Sequence, residues 1–319
     1  MLSEVLTGEP AATSADPRGL FVGLATLDMV YRVPEHPGPN RKVVAVRQDL
    51  AAGGPAANAA VTFAALGGAA RLVTGLGAHP LGRFAAAELA GRGVVVRDTA
   101  MEWAEPPAVA SILVQDSTGE RAVVSTHAAG MTVTPPDDLA VEVAKADVLL
   151  VDGHHPALAL PAARAAAEAS VPVILDGGSW KLATEKLLPY VTVAACSADF
   201  RVPGCASPPE AARALARYGV VTVLVTRGPD PVLWWSGGRS GSVPVPQVVA
   251  RDTLGAGDVF HGALCWAVAL GADVVVPEAA VRFAAAVAAL RCSIVGPRAW
   301  LDDPALAELA RSFPKEFPG

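Results

Sequence analysis

Arg251-Asp252-Thr253-Leu254-Gly255-Ala256-Gly257-Asp258-Val259-Phe260-His261-Gly262 is the stretch whose reading decides the fold. A charged, glycine-punctuated turn runs straight into an apolar, alanine-rich segment that reads as a helix. Gly255 and Gly257 let the backbone pass close to a bound group. The first N–H groups of the helix have no acceptor one turn back, and they suit an anion such as a phosphate. Asp258 falls in that first turn, where a carboxylate is electrostatically favoured. Taken alone, Asp258 is either a helix-start acid or a working carboxylate beside an anion site.

The surrounding chain has 319 residues, enough for one large α/β domain or two modest ones. Hydrophobic residues make up 52%, but much of this is alanine. No uninterrupted apolar run reaches the roughly 18–20 residues of a membrane span. The N-terminal residues lack the basic and apolar regions of a secretory signal, and 1–19 read as a flexible tail. A formal charge of −6 offers no basic face to nucleic acid. Cys196, Cys205, Cys265 and Cys292 show no C-x-x-C spacing, so neither a zinc site nor a disulfide framework is expected. A reducing, cytoplasmic setting follows as the default.

Working outward from the N-terminal side, Leu20–Ala25 reads as a strand that leads to Asp28. An acid past the end of a first strand lies where open α/β sheets hold ligands, although a turn or cap would also use one. Met29–Val33 and Val43–Asp49 read as a β-ribbon. Val94–Asp98, Val109–Gln115 and Arg121–Thr126 would extend it into a small sheet, so lid strands are expected from about 29–50 and 94–126. Arg121 is a candidate contact from that lid. Gly53-Gly54-Pro55-Ala56-Ala57-Asn58 starts a helix that is almost wholly small and apolar. Asn58 is then a polar side chain in a buried first turn, either a backbone cap or a partner for ligand hydroxyls. His79 is either a ligand contact or a solvated loop residue.

From Asp147 onward, apolar strands alternate with helices, which argues for a parallel sheet covered on both faces. The strands end in Asp152-Gly153-His154, Asp176-Gly177-Gly178-Ser179-Trp180-Lys181, Ser197-Ala198-Asp199 and Thr226-Arg227-Gly228. Polar ends converging on one sheet edge form an active-site rim. Val259–Leu270 and Pro277–Leu290 read as buried helices, Asp303–Phe313 as a final amphipathic one, and 313–319 as a tail.

DTLGAGDVFHGAL resembles the C-terminal signature of the ribokinase-like (phosphofructokinase B) carbohydrate kinases, and GGPAANAAVTFAALGG resembles their N-terminal motif. The resemblance covers roughly residues 20–312. It implies a three-layer α/β/α sandwich with a mostly parallel central sheet and a small β-sheet lid. The implied activity is ATP-dependent phosphoryl transfer to a hydroxyl of a sugar or related small molecule. Asp258 matches the catalytic base, and residues 255–258 match the anion hole. Asp28, Gly53, Gly54 and Asn58 match sugar-binding positions. Thr226 and Gly228 match a Thr-x-Gly near the nucleotide phosphates, with Lys181, Ser197, Asp252 and Thr253 as further candidates for the nucleotide side. Mg²⁺ is implied with ATP, and K⁺ is a candidate second ion.

Two departures bear on that expectation. Many relatives carry Asn-x-x-Glu where this chain has Ser197-Ala198-Asp199-Phe200, which leaves Asp199 as the acid nearest a metal. The segments Val151–Pro156 and Cys292–Arg298 look closer to the ketohexokinase and sulfofructose kinase branch, which favours a ketose-type sugar. A nucleoside kinase of the same family, or a sensor that binds sugar or nucleotide without catalysis, are the alternatives. A dinucleotide oxidoreductase is disfavoured because Gly23-Leu24-Ala25-Thr26 is no Gly-x-Gly-x-x-Gly. A P-loop is excluded because no Gly-Lys pair occurs. Exposed sheet edges invite pairing, so a homodimer through the lid sheet is a candidate assembly that the sequence does not decide.

Overall fold

The computed structural model describes residues 16–313 apart from 127 and 129. The expected tails therefore lie largely outside the described residues. The first half of the chain forms β1 (Arg18–Val22), β2 (Thr26–Val33), β3 (Arg47–Gly53), α1 (Pro55–Ala65), β4 (Ala69–Thr74), α2 (Pro80–Gly91), β5 (Val94–Asp98), β6 (Val109–Gln115), β7 (Arg121–Ser125), α3 (Leu139–Ala144) and β8 (Val148–Val151). Then come α4 (Pro156–Glu168), β9 (Val173–Gly177), α5 (Thr184–Leu187), β10 (Val193–Ser197), α6 (Pro208–Arg217), β11 (Thr222–Arg227), β12 (Asp230–Ser236), β13 (Arg239–Val243), α7 (Ala256–Ala269), α8 (Glu278–Ser293) and α9 (Pro304–Ser312).

Nine strands form one sheet in the order β13-β12-β11-β10-β9-β8-β1-β4-β5. Its strands from β11 through β5 run parallel, and the β12–β13 hairpin closes one edge antiparallel. Alternate side chains feed two cores. Phe21, Leu150 and Ile174 face α1, α7 and α8, while Leu20, Val22, Leu149 and Val151 face α4 and α6. Burial on both faces is why β8 reads Val-Leu-Leu-Val without a polar break. Each buried Leu or Phe is worth about 1.5–3 kcal/mol, so the helical layers on either face hold the sheet firmly.

A second sheet, in the order β3-β2-β6-β7, stands apart as the lid. Its inner cluster of Val30, Ala110, Ile112 and Val114 packs against Leu254, inside the decisive stretch.

The structure corrects several boundaries. Val94–Asp98 is not a lid strand; it pairs parallel with β4 at the edge of the large sheet. An apolar run of five carries no information about which sheet it joins, and pairing with β4 decides it. Asp28 is not in the loop that leaves β1. It lies inside β2, opposite Ala51 and Ala110 in the lid. The partner strand runs to Gly53 rather than Asp49, which brings the glycine pair to the base of the lid. Phe313 is buried against Trp266 and Phe283 rather than belonging to a tail.

Candidate active site

Gly255 caps α7 with φ 71°, and the first helical bond runs from Val259 N to Gly255 O at 3.0 Å. Ala256 N turns back to Thr253 O at 3.3 Å. The amides of Gly257 and Asp258 have no carbonyl one turn back, and they form the anion-receptive end of the helix. Asp258 stands beside them in the first turn.

The Asp258 carboxylate accepts a 2.8 Å hydrogen bond from Asn58 Nδ2. This contact spans 200 residues, and close packing of α1 on α7 creates it. A Cβ at Gly262 would come within 2.4 Å of Ala59 O, so only glycine admits that approach. The far side of Asn58 is fixed too. Arg298 Nη1 donates to Asn58 Oδ1 at 3.0 Å, which turns the amide nitrogen toward Asp258. Arg298 is itself held by Glu88 at 3.1 Å and by Ala52 O at 2.5 Å.

Burial pushes the Asp258 carboxyl up to about 7, and the negative charge of Asp176 adds to the rise. The Asn58 hydrogen bond and His261 pull it back down. His261, one turn along α7, meets Asp176 Oδ2 through Nδ1 at 2.9 Å and Ala195 O through Nε2 at 3.1 Å. Burial alone would raise Asp176, but His261 holds it below the usual carboxylate range. Burial opposes His261's proton, yet Asp176 lifts its pKa above the ordinary histidine value. A buried ion pair therefore underlies the Asp258 carboxylate. A carboxylate poised near neutrality is suited to taking a proton at physiological pH.

Asp28 is buried, its carboxyl raised by burial, and it accepts from Thr26 Oγ1 at 2.6 Å. A Cβ at Gly53 would sit 2.0 Å from Asp28 Oδ2, and Gly54 adopts φ 93°, so the glycine pair makes room for this acid. Asp28, Asn58, Gly255 and Arg298 line one small cavity. Across the same loop, Thr226, Gly228, Thr253, Ala256 and Gly257 line a second cavity of about 240 Å³, walled by Val245, Val248, Ala285, Ala288 and Ala289. Loop 253–257 thus serves two cavities, one polar and tight, the other apolar and larger.

Other candidates fall elsewhere. Asp252 is buried, and its carboxylate accepts from Leu254 N at 3.0 Å and Gly296 N at 2.9 Å, so it holds the loop. Arg121 Nη1 reaches from β7 to Thr253 O at 3.0 Å and fastens the lid to that loop. Ser197 Oγ donates to Gly178 O at 3.0 Å and lines neither cavity. Asp199 is exposed, and Phe200 packs on Trp180 at 5.6 Å between ring centroids. Among the described residues no three His, Cys, Asp or Glu side chains group as a metal site. Lys181 lines neither cavity; its Nζ lies 3.4 Å from Ser179 O. His79 caps α2, with Nδ1 accepting from Leu81 N at 3.2 Å. No helix among the described residues is long and apolar enough to cross a membrane.

Sequence reasoning assigned no individual role to Glu88, Arg298, His261 or Asp176, the last of which it placed only on the strand-end rim. One signal was available for the last two: an acid ending an apolar strand and a histidine inside an apolar helix each require a buried partner.

A family model described as pfkB family carbohydrate kinase matches residues 18–303. Ribokinase of Haemophilus influenzae is 26% identical over 253 residues, spanning 76% of this chain and 82% of the relative. A 2-dehydro-3-deoxygalactonokinase of Haloferax volcanii is 29% identical over 268 residues, spanning 76% and 82%. The structure of Arabidopsis thaliana ribokinase complexed with ribose and ATP matches with a TM-score of 0.74 and 25% identity, over 93% of this chain and 99% of that one.

Proposed function

Because the chain belongs to the pfkB family of carbohydrate kinases, which are phosphotransferases, we propose that Asp258 is the base for ATP-dependent transfer to a sugar hydroxyl. The observation that carries this reading is the Asn58-oriented carboxylate of Asp258 at the open amides of α7, directly after the 253–257 loop whose residues line both cavities. The acceptor hydroxyl docks in the polar cavity and hydrogen-bonds Asp28 and Asn58. Its proton passes to Asp258 as the oxygen attacks the γ-phosphorus, and the oxygen bridging to the β-phosphate leaves with ADP. The amides of 255–258 hold the negative charge on the transferred group. The adenine lies in the apolar cavity, with Thr226 and Gly228 near the phosphates. The lid sheet, tied to the loop by Arg121, keeps competing water out.

When bound, Mg²⁺ neutralises charge on the ATP phosphates. With Phe200 in place of an acid, the exposed Asp199 is the carboxylate of residues 197–200 that would help to hold Mg²⁺. Among acceptors, a ketose stands first, on the segments Val151–Pro156 and Cys292–Arg298. Ribose and 2-keto sugar acids follow, because relatives bear those activities in their names. A homodimer through the lid fits the exposed edge strand β7, with Val123 and Val124 open to solvent.

The test is ADP release from Mg·ATP against a panel of ketoses, sulfosugars, ribose, 2-keto-3-deoxy sugar acids and nucleosides. Turnover on one class supports the kinase and identifies its acceptor. No turnover on any, with ATP or a sugar still raising the melting temperature, would favour a non-catalytic sensor.

A further inference from the structure

The family resemblance introduced K⁺ as a candidate ion, and the residues beside the anion-hole loop do not fit one. A desolvated alkali cation takes carboxylate and backbone carbonyl oxygens. Such a set exists next to the loop: the Asp252 carboxylate, Asp252 O and Ile294 O converge from two segments. A guanidinium already fills it. Arg291, 1% exposed at the end of α8, lies 3.2 Å from Asp252 Oδ1. Its Nη1 donates to Asp252 O at 3.3 Å and to Ile294 O at 3.0 Å. The other carboxylate oxygen accepts from Gly296 N at 2.9 Å and has Arg32 of the lid at 4.0 Å.

We propose that the Arg291 guanidinium is the built-in cation of the Asp252 loop, and that this kinase works without a monovalent metal ion. The loop explains why a cation belongs there. Asp252 fixes Leu254 N, and one residue later the chain turns at Gly255 into the anion hole. An uncompensated buried carboxylate would take up a proton or expel the loop. Arg291 removes that cost covalently, so no ion has to be captured. A K⁺ ion would enter beside two guanidinium groups and meet repulsion, since Arg32 also faces Asp252 and donates to Arg251 O at 2.9 Å. Arg32's other charged partner is Asp116 at 2.6 Å, and Arg47 (paired with Asp49 at 2.8 Å), Arg298 and Arg121 add further positive charge at this corner.

The inference rests on the kinase reading for its activity arm only. The full chain is exchanged into tetramethylammonium chloride, whose cation is too large for the site, and assayed with Mg·ATP and the acceptor from the panel. Adding about 0.1 M KCl at constant ionic strength should change kcat/KM by less than about twofold. Saturable activation of roughly tenfold or more by K⁺, and not by Na⁺, would overturn the proposal. Arg291→Ala should lose at least about tenfold in tetramethylammonium and recover part of it in K⁺; full activity without either cation would also overturn it. If the variant does not fold, the wild-type melting temperature decides, with no need for turnover. It should be the same in K⁺ and tetramethylammonium, whereas a K⁺-specific rise of about 3 °C or more would show a bound ion and refute the proposal.

Discussion

Replacing Asn58 by Ala removes the 2.8 Å hydrogen bond to Asp258 and should move the acid limb of the rate profile upward. The sign follows from what Asn58 favours: its N–H donates to the charged carboxylate, so without it the protonated form gains. A hydrogen bond to a charged group is worth about 1.5–3 kcal/mol. Partial solvent access to Asp258 argues for the lower end, and at 1.36 kcal/mol per unit the shift is about one pH unit. Asp258 begins at about 7, so kcat/KM for ADP formation should fall off below about pH 7 in the wild type and below about pH 8 in Asn58→Ala. ATP ionisation is common to both proteins and cancels in the difference. A loss of acceptor contacts would lower kcat/KM at every pH without moving the limb. A wild-type limb near pH 4, where an ordinary carboxylate titrates, or a limb unmoved in the variant, would refute the reasoning.

His261→Asn should also raise the Asp258 limb, because the positive charge goes while Asp176 stays. Stability gives a second readout. Asp176 is lowered and His261 raised, so the pair's stabilisation is complete between the unfolded values of about 3.9 and 6.5. It declines as pH falls through the folded Asp176 value or rises through that of His261. The melting difference between wild type and His261→Asn should be widest inside that window; a pH-independent difference would contradict the ion pair. Gly262→Val forces α1 away from α7, because even a Cβ on Gly262 would meet Ala59 O of α1 at 2.4 Å. It should cost about 1–3 kcal/mol by overpacking and lower kcat through loss of the Asn58–Asp258 contact. Denaturant melts and steady-state kinetics test it, and unchanged values in both would refute it.

Much of the candidate site's geometry was legible because its parts are local. The turn-to-helix string around Asp258 specifies its own geometry, and Gly54 at φ 93° with Pro55 opening α1 is equally self-contained. The alternation after Asp147 indicated the parallel sheet because strands buried on both faces lack polar residues. What stayed hidden was pairing between distant segments. Arg298 lies 240 positions from Asn58, and nothing near either residue in sequence announces the other. Gly262 looks like a lapse in a good helix until Ala59 is placed against it. Val94–Asp98 has a strand's composition, but its sheet is chosen by β4. Arg291 offered a signal that could have been read: a charge that directly follows the apolar run Phe283–Leu290 needs a partner if it is buried with that run.

Asp258→Asn tests the central claim most directly, since it keeps shape and burial and removes only the base. ADP formation with the acceptor found in the panel should fall by about 10²–10⁴-fold, with ATP and sugar still raising the melting temperature of the variant. Turnover within a few-fold of wild type would remove Asp258 from the chemistry and with it the mechanism built on the α7 N-terminus.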